Sequence, residues 1–384
     1  MITQIASDVR SNLVVGIVGG GFMGEVHSRA ARAAGAAIAG VTSSTHSSAE
    51  KAANRLHIPV AYESVAEMLE DPAIDLVHIC SPNSSHASIA EAALEAGKHV
   101  ICEKPLATNP EQAESLLHLA AVKGKVAAVP FVYRFHPLVR EARSYVRKGS
   151  LGTTITVQGS YFQDWLLSTT DDNWRVNDEV GGPSRAFADI GSHLCDLVEF
   201  VTDERISDLC AQTRTVFDKR TYNTAITTED VAAVMFRTAG GLLGTLMVSQ
   251  VAPGRKNKLS FEINGTTQSL FFDQEQPESL WVGAKTGSRV VVRSPEDNCP
   301  DAARLSRVPA GHPQGYQDAF NNFVADTYAA IAGETPEGLP TFADGLRSAH
   351  ITAAVLDSAR NNSWVSVPDS PTAFPARSSK ALVP

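Results

Sequence analysis

Long apolar runs, clustered basic residues and paired cysteines are all missing from this chain, and each absence removes a class of function. No stretch approaches the ~18 consecutive apolar residues that span a bilayer. Residues 1–12 carry neither a basic start nor an apolar secretion core, so no membrane partner and a cytoplasmic location are expected. Lys and Arg total 33 against 42 Asp and Glu, a formal net charge of −9. The basic residues nowhere gather into a patch that would attract a phosphate backbone, so no nucleic-acid partner is expected. Cys80, Cys102, Cys195, Cys210 and Cys299 are odd in number and include no C-x-x-C pair, which suits free thiols in a reducing compartment. No internal repeat is present.

What is there is ordinary globular material: 384 residues, 43% hydrophobic and 20% charged, enough for two cores. Up to about residue 135 short apolar runs at 13–18, 37–41, 76–80, 99–102 and 126–132 alternate with helix-like segments at 25–34, 47–56, 64–69, 85–96 and 110–123. Continuous apolar strands alternating with helices predict a doubly wound α/β Rossmann domain over 1–135, with a parallel sheet covered on both faces. After a helix-like segment beginning at 137 the texture changes. Runs rich in β-branched and aromatic residues at 153–162, 231–237, 242–251, 258–263, 268–272 and 289–292 predict a large, open, mostly antiparallel sheet. The turns "TAGG" (238–241) and "NGT" (264–266) join successive strands as hairpins. Two helices at 316–332 and 342–359 follow, so 136–367 reads as an α+β substrate-binding and oligomerisation domain. The Pro- and Ser-containing segment 368–384 reads as a flexible tail.

Three stretches carry chemistry. "IVGGGFMGEVH" (17–27) places Gly19, Gly21 and Gly24 in G-x-G-x-x-G spacing after the first strand, with Phe22 and Met23 between them. In that context the glycines serve a tight turn, a close backbone approach to pyrophosphate, and close helix–strand packing. A structural glycine turn is the alternative. At the end of the second strand, where an acid would bind the ribose 2′-hydroxyl of NAD, the chain has Thr42, Ser43 and Ser44. Their hydroxyls, with His46 or Lys51 nearby and no arginine clamp, lean towards NADP and leave NAD open.

"CEKPLA" (102–107) ends a strand at the carboxyl edge of the sheet, where ligands of open α/β folds bind. Lys104 there is a candidate to hold or relay the proton of a substrate hydroxyl, or a plain surface lysine. "FADIGSHLCDL" (187–197) sets Asp189 and His193 at i and i+4 if a helix starts near Asp189. This spacing puts an imidazole beside a carboxylate, a general base with an orienting partner. An N-cap aspartate with an ordinary histidine, or a metal site using His193 and Asp196, are the rivals. The metal site is disfavoured because no compact set of further ligands stands nearby.

Together, the strand-G-x-G-x-x-G-helix start, E-K-P near residue 100 and D-I-G-S-H near residue 190 resemble the Gfo/Idh/MocA family, which includes glucose–fructose oxidoreductases, inositol dehydrogenases and related sugar dehydrogenases. The resemblance implies hydride transfer between a ring carbinol or ketone of a sugar, glycoside or cyclic polyol and NAD or NADP. It gives Lys104 the place of the catalytic lysine, Asp189 that of a polar site residue and His193 that of the acid/base. It further implies that Glu103 and the segment containing Pro82, Asn83 and His86 border the cofactor, and that Arg134 and "NWR" (173–175) lie near the site.

A sugar pocket needs aromatic platforms and hydroxyl-binding side chains. "YFQDW" and "DDNWR" offer Gln163, Trp165, Trp174 and Arg175, and "GHPQGYQDAF" offers His312 and Tyr316. For the tryptophans and Tyr316, core packing is the alternative. A homodimer or homotetramer through the open sheet is expected. A redox glycosidase holding NAD tightly, or a non-catalytic sugar and dinucleotide sensor, are the rival functions.

Overall fold

The computed structural model describes residues 13–369. Of the segment 368–384, Pro368 is tied down by its carbonyl, which accepts from Arg347 at 2.7 Å; residues 370–384 lie outside the described residues. Two sheets organise the chain. The first is six-stranded and parallel, in the order β3-β2-β1-β4-β5-β6: β1 (Val14–Val18), β2 (Ala37–Thr42), β3 (Val60–Ala61), β4 (Leu76–Ile79), β5 (His99–Cys102) and β6 (Ala127–Ala128). The order reverses between β1 and β4, and the loops that leave the carboxyl ends of those strands make the crevice where such folds bind ligands.

The second sheet has nine strands in the order β14-β13-β12-β11-β7-β10-β9-β8-β15. They are β7 (Thr154–Phe162), β8 (Ile206–Arg214), β9 (Val231–Thr238), β10 (Leu243–Ser249), β11 (Lys258–Gly265), β12 (Gln268–Asp273), β13 (Ser279–Ala284), β14 (Gly287–Val292) and β15 (Val365–Ser366). Its one parallel pairing is β7 with β10. Burial alternates along β9 and β10 with a period of two. Val234, Phe236, Leu246 and Val248 are buried, while Met235, Leu243 and Met247 are more than 40% exposed on the other face.

Helix ends in the first unit are written locally. Thr45, Ser64 and Asn109 each accept a backbone N–H as the N-caps of His46–Leu56, Val65–Glu70 and Pro110–Lys123. The helix Phe22–Ala33 differs: Gly21 stands at its N-cap and no side chain caps it.

The late helices do not stay with the second sheet. Phe320, Phe323 and Tyr328 of Tyr316–Ile331 join the core on one face of the parallel sheet, with Val15, Ile17 and Val26. Phe342 and Leu346 of Phe342–Asn361 join the core on the other face, with Val77, Ile79 and Val100. The hydrophobic surface of the parallel sheet is thus closed by segments more than 300 residues into the chain, which local periodicity cannot reveal.

Candidate active site

The glycine loop has the shape its spacing implies. Gly19 adopts φ +98°, and a Cβ there would lie 2.6 Å from the Cys80 carbonyl oxygen; a Cβ at Gly24 would lie 2.1 Å from the Gly19 carbonyl oxygen. Gly21, in contrast, has nothing within 4 Å of where a Cβ would stand. The first and third glycines are therefore filled by the protein's own backbone, and the middle one faces open space at an uncapped helix N-terminus. Free N–H groups and the helix dipole favour an anion there, so these residues fit a dinucleotide pyrophosphate. The Arg55 guanidinium donates to the Gly20 carbonyl and pairs with Glu25 at 2.7 Å. At the end of β2, Thr42 is buried, Ser43 half-buried and Ser44 exposed.

The segment after β4 is spent mostly on the protein itself. Asn83 donates to the Gly181 carbonyl at 2.8 Å. His86 lies 2.7 Å from the Pro105 carbonyl and 2.9 Å from the Ser81 carbonyl. Both are acceptors, and burial holds the imidazole below its ordinary pKa, so the neutral ring donates to one of them at a time. Pro82 alone of the three is exposed. Glu103 lines the cavity but is 6% exposed and accepts from His27 Nε2 at 3.0 Å. A buried chain continues from His27 to His78 and on to the Tyr328 hydroxyl. Burial would raise the Glu103 pKa, yet the His27 hydrogen bond and the nearby charges outweigh it and hold the carboxyl below its usual range.

A cavity of about 490 Å³ opens between the two units, within the ~300–1,000 Å³ typical of small-ligand sites. Phe22 and Met23 of the glycine loop border it, and Lys104, Asp189 and His193 meet in its wall. The Lys104 ammonium donates to the Asp189 carboxylate at 2.5 Å and to the Asp189 carbonyl at 2.8 Å. Gln250 donates to the other carboxylate oxygen at 2.8 Å, and the Arg175 guanidinium lies 3.6 Å away. Burial opposes ionisation of Asp189, but Lys104 and Arg175 more than offset it and push its pKa far below the carboxylate range.

His193 is 8% exposed, and its Nδ1 is buried without a partner. Burial first, and the Lys104 charge second, push its pKa well below 6.5, so the ring is neutral at pH 7. The Asp189 charge acts on the His193 ring, but no hydrogen bond joins the two. Residues Phe187–Gly191 make a π-helical turn before the helix Ser192–Thr202, and the Asp189 carboxylate is bonded to Lys104 and Gln250 instead. Wide turns of this kind recur at functional sites.

The sequence-expected pocket residues divide. Gln163, Trp165, Arg175 and Tyr316 line the cavity, with the Trp165 indole donating to Gln163 at 2.8 Å. Trp174 lies outside the lining and supports Arg175, whose guanidinium sits 4.4 Å over its ring. Arg134 is a correction: it is buried and forked onto Asp196, with a further bond to Asp344 at 2.7 Å. It ties the turn Val132–Phe135 to two helices and leaves its neighbour Tyr133 to face the cavity. The same ion pair uses the aspartate that the metal alternative needed. His312 is also corrected. It is exposed and outside the lining, and it is held by its backbone, the carbonyl accepting from Arg293 at 2.6 Å and the N–H donating to the Pro309 carbonyl at 3.3 Å.

Tyr133, Tyr161 and Asn257 complete the wall unforeseen. Asn257 accepts from Tyr161 at 2.7 Å and from Gln163 at 2.8 Å, and donates to the Tyr133 hydroxyl at 3.1 Å. Tyr161 sat in the quoted "YFQDW" and Tyr133 directly before Arg134; Asn257, in a loop between β10 and β11, left no local signal.

Residues 13–131 match the model of an oxidoreductase family with an NAD-binding Rossmann fold, and residues 139–271 match the GFO/IDH/MocA C-terminal domain. The chain belongs to the GFO/IDH/MocA family. Levoglucosan dehydrogenase of Pseudarthrobacter phenanthrenivorans is 32% identical over 93% of this chain and 98% of its own length. A structure of levoglucosan dehydrogenase in complex with NADH and levoglucosan superposes with a TM-score of 0.87 at 33% identity, over 93% of this chain and 100% of that one. An inositol dehydrogenase homolog from Azotobacter vinelandii, complexed with NADH and myo-inositol, gives 0.86 at 26% identity, over 93% and 98%. The chain is an oxidoreductase of this family, with a Rossmann domain for a nicotinamide dinucleotide.

Proposed function

We propose that this protein oxidises a ring hydroxyl of a neutral sugar, glycoside or cyclic polyol, or reduces the matching ketone. What supports the reading is one observation: a single cavity joins the open side of the glycine loop to Lys104, Asp189 and His193 and to a wall of hydroxyl-binding side chains. Its charged lining is balanced, Lys104 and Arg175 against Glu103 and Asp189, which favours a neutral substrate over a sugar phosphate.

The cofactor, when bound, accepts the hydride from the carbinol carbon. The residues manage the proton. The substrate hydroxyl lies between Lys104 and His193; neutral His193 takes its proton, and Lys104 donates a hydrogen bond to the oxygen as negative charge develops. Asp189 holds the ammonium in position through the 2.5 Å contact. Tyr133, Tyr161, Gln163 and Asn257 offer fixed donors and acceptors to the other hydroxyls, and Trp165 an apolar face to the ring.

Ser43 and Ser44 receive the adenosine ribose. His46 lies 3.7 Å from Glu50 and 3.4 Å from Glu63, and these carboxylates disfavour a 2′-phosphate, so NAD is the preferred cofactor. Five free cysteines suit a reducing cytoplasm. The outer face of the nine-stranded sheet exposes Met235, Leu243, Met247, Val290 and Val292, which supports a homo-oligomer built on that face.

The test is reduction of NAD and of NADP by the purified protein, followed by absorbance across neutral sugars, glycosides and cyclic polyols. No reduction with either dinucleotide overturns the reading. Hydrolysis of a glycoside without net cofactor reduction replaces it with a redox glycosidase.

A further inference from the structure

The cavity's outer wall is residues 163–175, a loop that runs into the 3-10 turn Trp174–Val176 and carries Gln163, Trp165, Asn173 and Arg175 into the lining. It lies outside the main cores. Leu166 and Val176 pack with Ile226 in a small separate cluster, with Trp165 against it. What fixes such a loop must be polar: Gln163 and Asp164 at its start are bonded to the segment after β10, while its middle, residues 166–172, is held from the β8–β9 connection at residues 215–230.

Arg220 reaches from that connection behind the wall. Its guanidinium donates to the carbonyls of Ser168 at 2.5 Å, Asp171 at 2.7 Å and Leu166 at 2.8 Å. It is 4% exposed and stands against Asp230 at 3.2 Å. Asp230 is fully buried; it pairs with Arg185 at 2.6 Å and accepts the N–H groups of Val216 and Phe217. A second hold runs the other way. The Asp172 carboxylate of the wall accepts from the N–H groups of Tyr222 and Asn223 and from the Asn223 amide. The connection itself places no side chain in the cavity.

Three carbonyls converging on one buried, fixed guanidinium define where a loop's backbone lies. A planar fork can satisfy them together, whereas an ammonium on a flexible stem cannot hold the same geometry. We propose that Arg220 is the positioning residue of the substrate wall, so that the 215–230 connection sets which sugars the cavity accepts without touching them. The proposal rests on the sugar dehydrogenase reading above.

The experiment compares wild type with Arg220→Lys and Asp172→Ala, each first shown to be folded by its thermal melt. With a sugar that wild type oxidises, Arg220→Lys raises KM about tenfold, the loss of one to two net hydrogen bonds of wall placement. Its kcat stays within about twofold and its NADH Kd is unchanged, because the ammonium, the imidazole and the glycine loop are untouched. Asp172→Ala shifts KM in the same direction by less. Hydrogen exchange of residues 163–175 reads the clasp without any substrate, and both variants lose protection there. Unchanged KM in both variants, a fall in kcat at constant KM, or protection retained overturns the proposal. A wild type that oxidises no sugar refutes the sugar reading, and the exchange measurement still decides the clasp. If Arg220→Lys fails to fold, Asp172→Ala carries both measurements.

Discussion

Replacing Lys104 by Ala removes the one group that contacts both halves of the proposed chemistry, and its consequences separate into a rate and a stability. In the mechanism, the ammonium supports charge on the substrate oxygen, the kind of contribution worth about 10²–10⁴ in rate, or ~3–5 kcal/mol of barrier. In the fold, it is the nearest counter-charge of a buried carboxylate: the Lys104 and Asp189 side chains are 13% and 16% exposed. Breaking a buried pair costs ~3–5 kcal/mol when nothing else compensates. Here the Gln250 amide at 2.8 Å and the Arg175 guanidinium at 3.6 Å remain, so ~1–3 kcal/mol is expected. At a few degrees per kcal/mol, Tm falls by roughly 2–10 °C. The assay is initial-rate NADH absorbance beside a melt and a dinucleotide titration by fluorescence. Turnover falls at least about a hundredfold while dinucleotide Kd stays put, because the phosphate cradle belongs to the β1 loop. A folded Lys104→Ala protein that keeps more than about a tenth of wild-type kcat refutes the assignment.

The glycine loop separates folding from binding: Gly24→Ala forces a Cβ to 2.1 Å from the Gly19 carbonyl and destabilises by ~1–3 kcal/mol in a thermal melt, whereas Gly21→Ala meets nothing within 4 Å, keeps Tm, and weakens dinucleotide binding. Because burial and the Lys104 charge hold the His193 pKa well below 6.5, the base stays neutral as pH falls through 6.5, so kcat/KM for oxidation holds to that point and declines only at lower pH. The same depressed pKa means the unfolded chain binds the proton more readily, so stability drops as pH falls below about 6.5, and His193→Asn, which abolishes turnover, flattens that fall in thermal melts. Ser43→Asp supplies the acid missing after β2 and increases the NAD-over-NADP ratio of kcat/KM. Leu243→Glu places a charge on the exposed sheet face and lowers the mass found by light scattering.

The chemistry was more legible than the architecture around it. Gly19, Gly21, Gly24, Lys104, Asp189 and His193 stand in short motifs whose spacing is local; Lys104, Asp189 and His193 line one cavity, and Phe22 and Met23 of the glycine motif border it. Arg134 was expected near the site from the resemblance, and it is instead spent on Asp196 and Asp344, while its neighbour Tyr133 lines the cavity. That Lys104 and Gln250 bond the Asp189 carboxylate was not legible, because a π turn cannot be read from the letters that an α-turn would also use. Strands β8 and β13 went unforeseen: Ile206–Arg214 sets Asp, Gln and Arg among its few buried apolar residues, and Ser279–Ala284 is a short run with Ser, Gly and Ala at its ends. Asn257 and Arg220 act over sequence separations that no window spans.

The return of the helix Tyr316–Ile331 to the parallel sheet has a consequence for modularity. Phe320 packs edge-on against His27 at 4.7 Å between ring centroids, and the Tyr328 hydroxyl closes the buried histidine chain at 3.0 Å. The nucleotide-binding half is therefore not a detachable cassette: cut after residue 135, it would carry two histidines and a glutamate whose dry surroundings had been lent by the far end of the chain. Exchange of parts between relatives of this fold must move the first 130 residues and this late helix together.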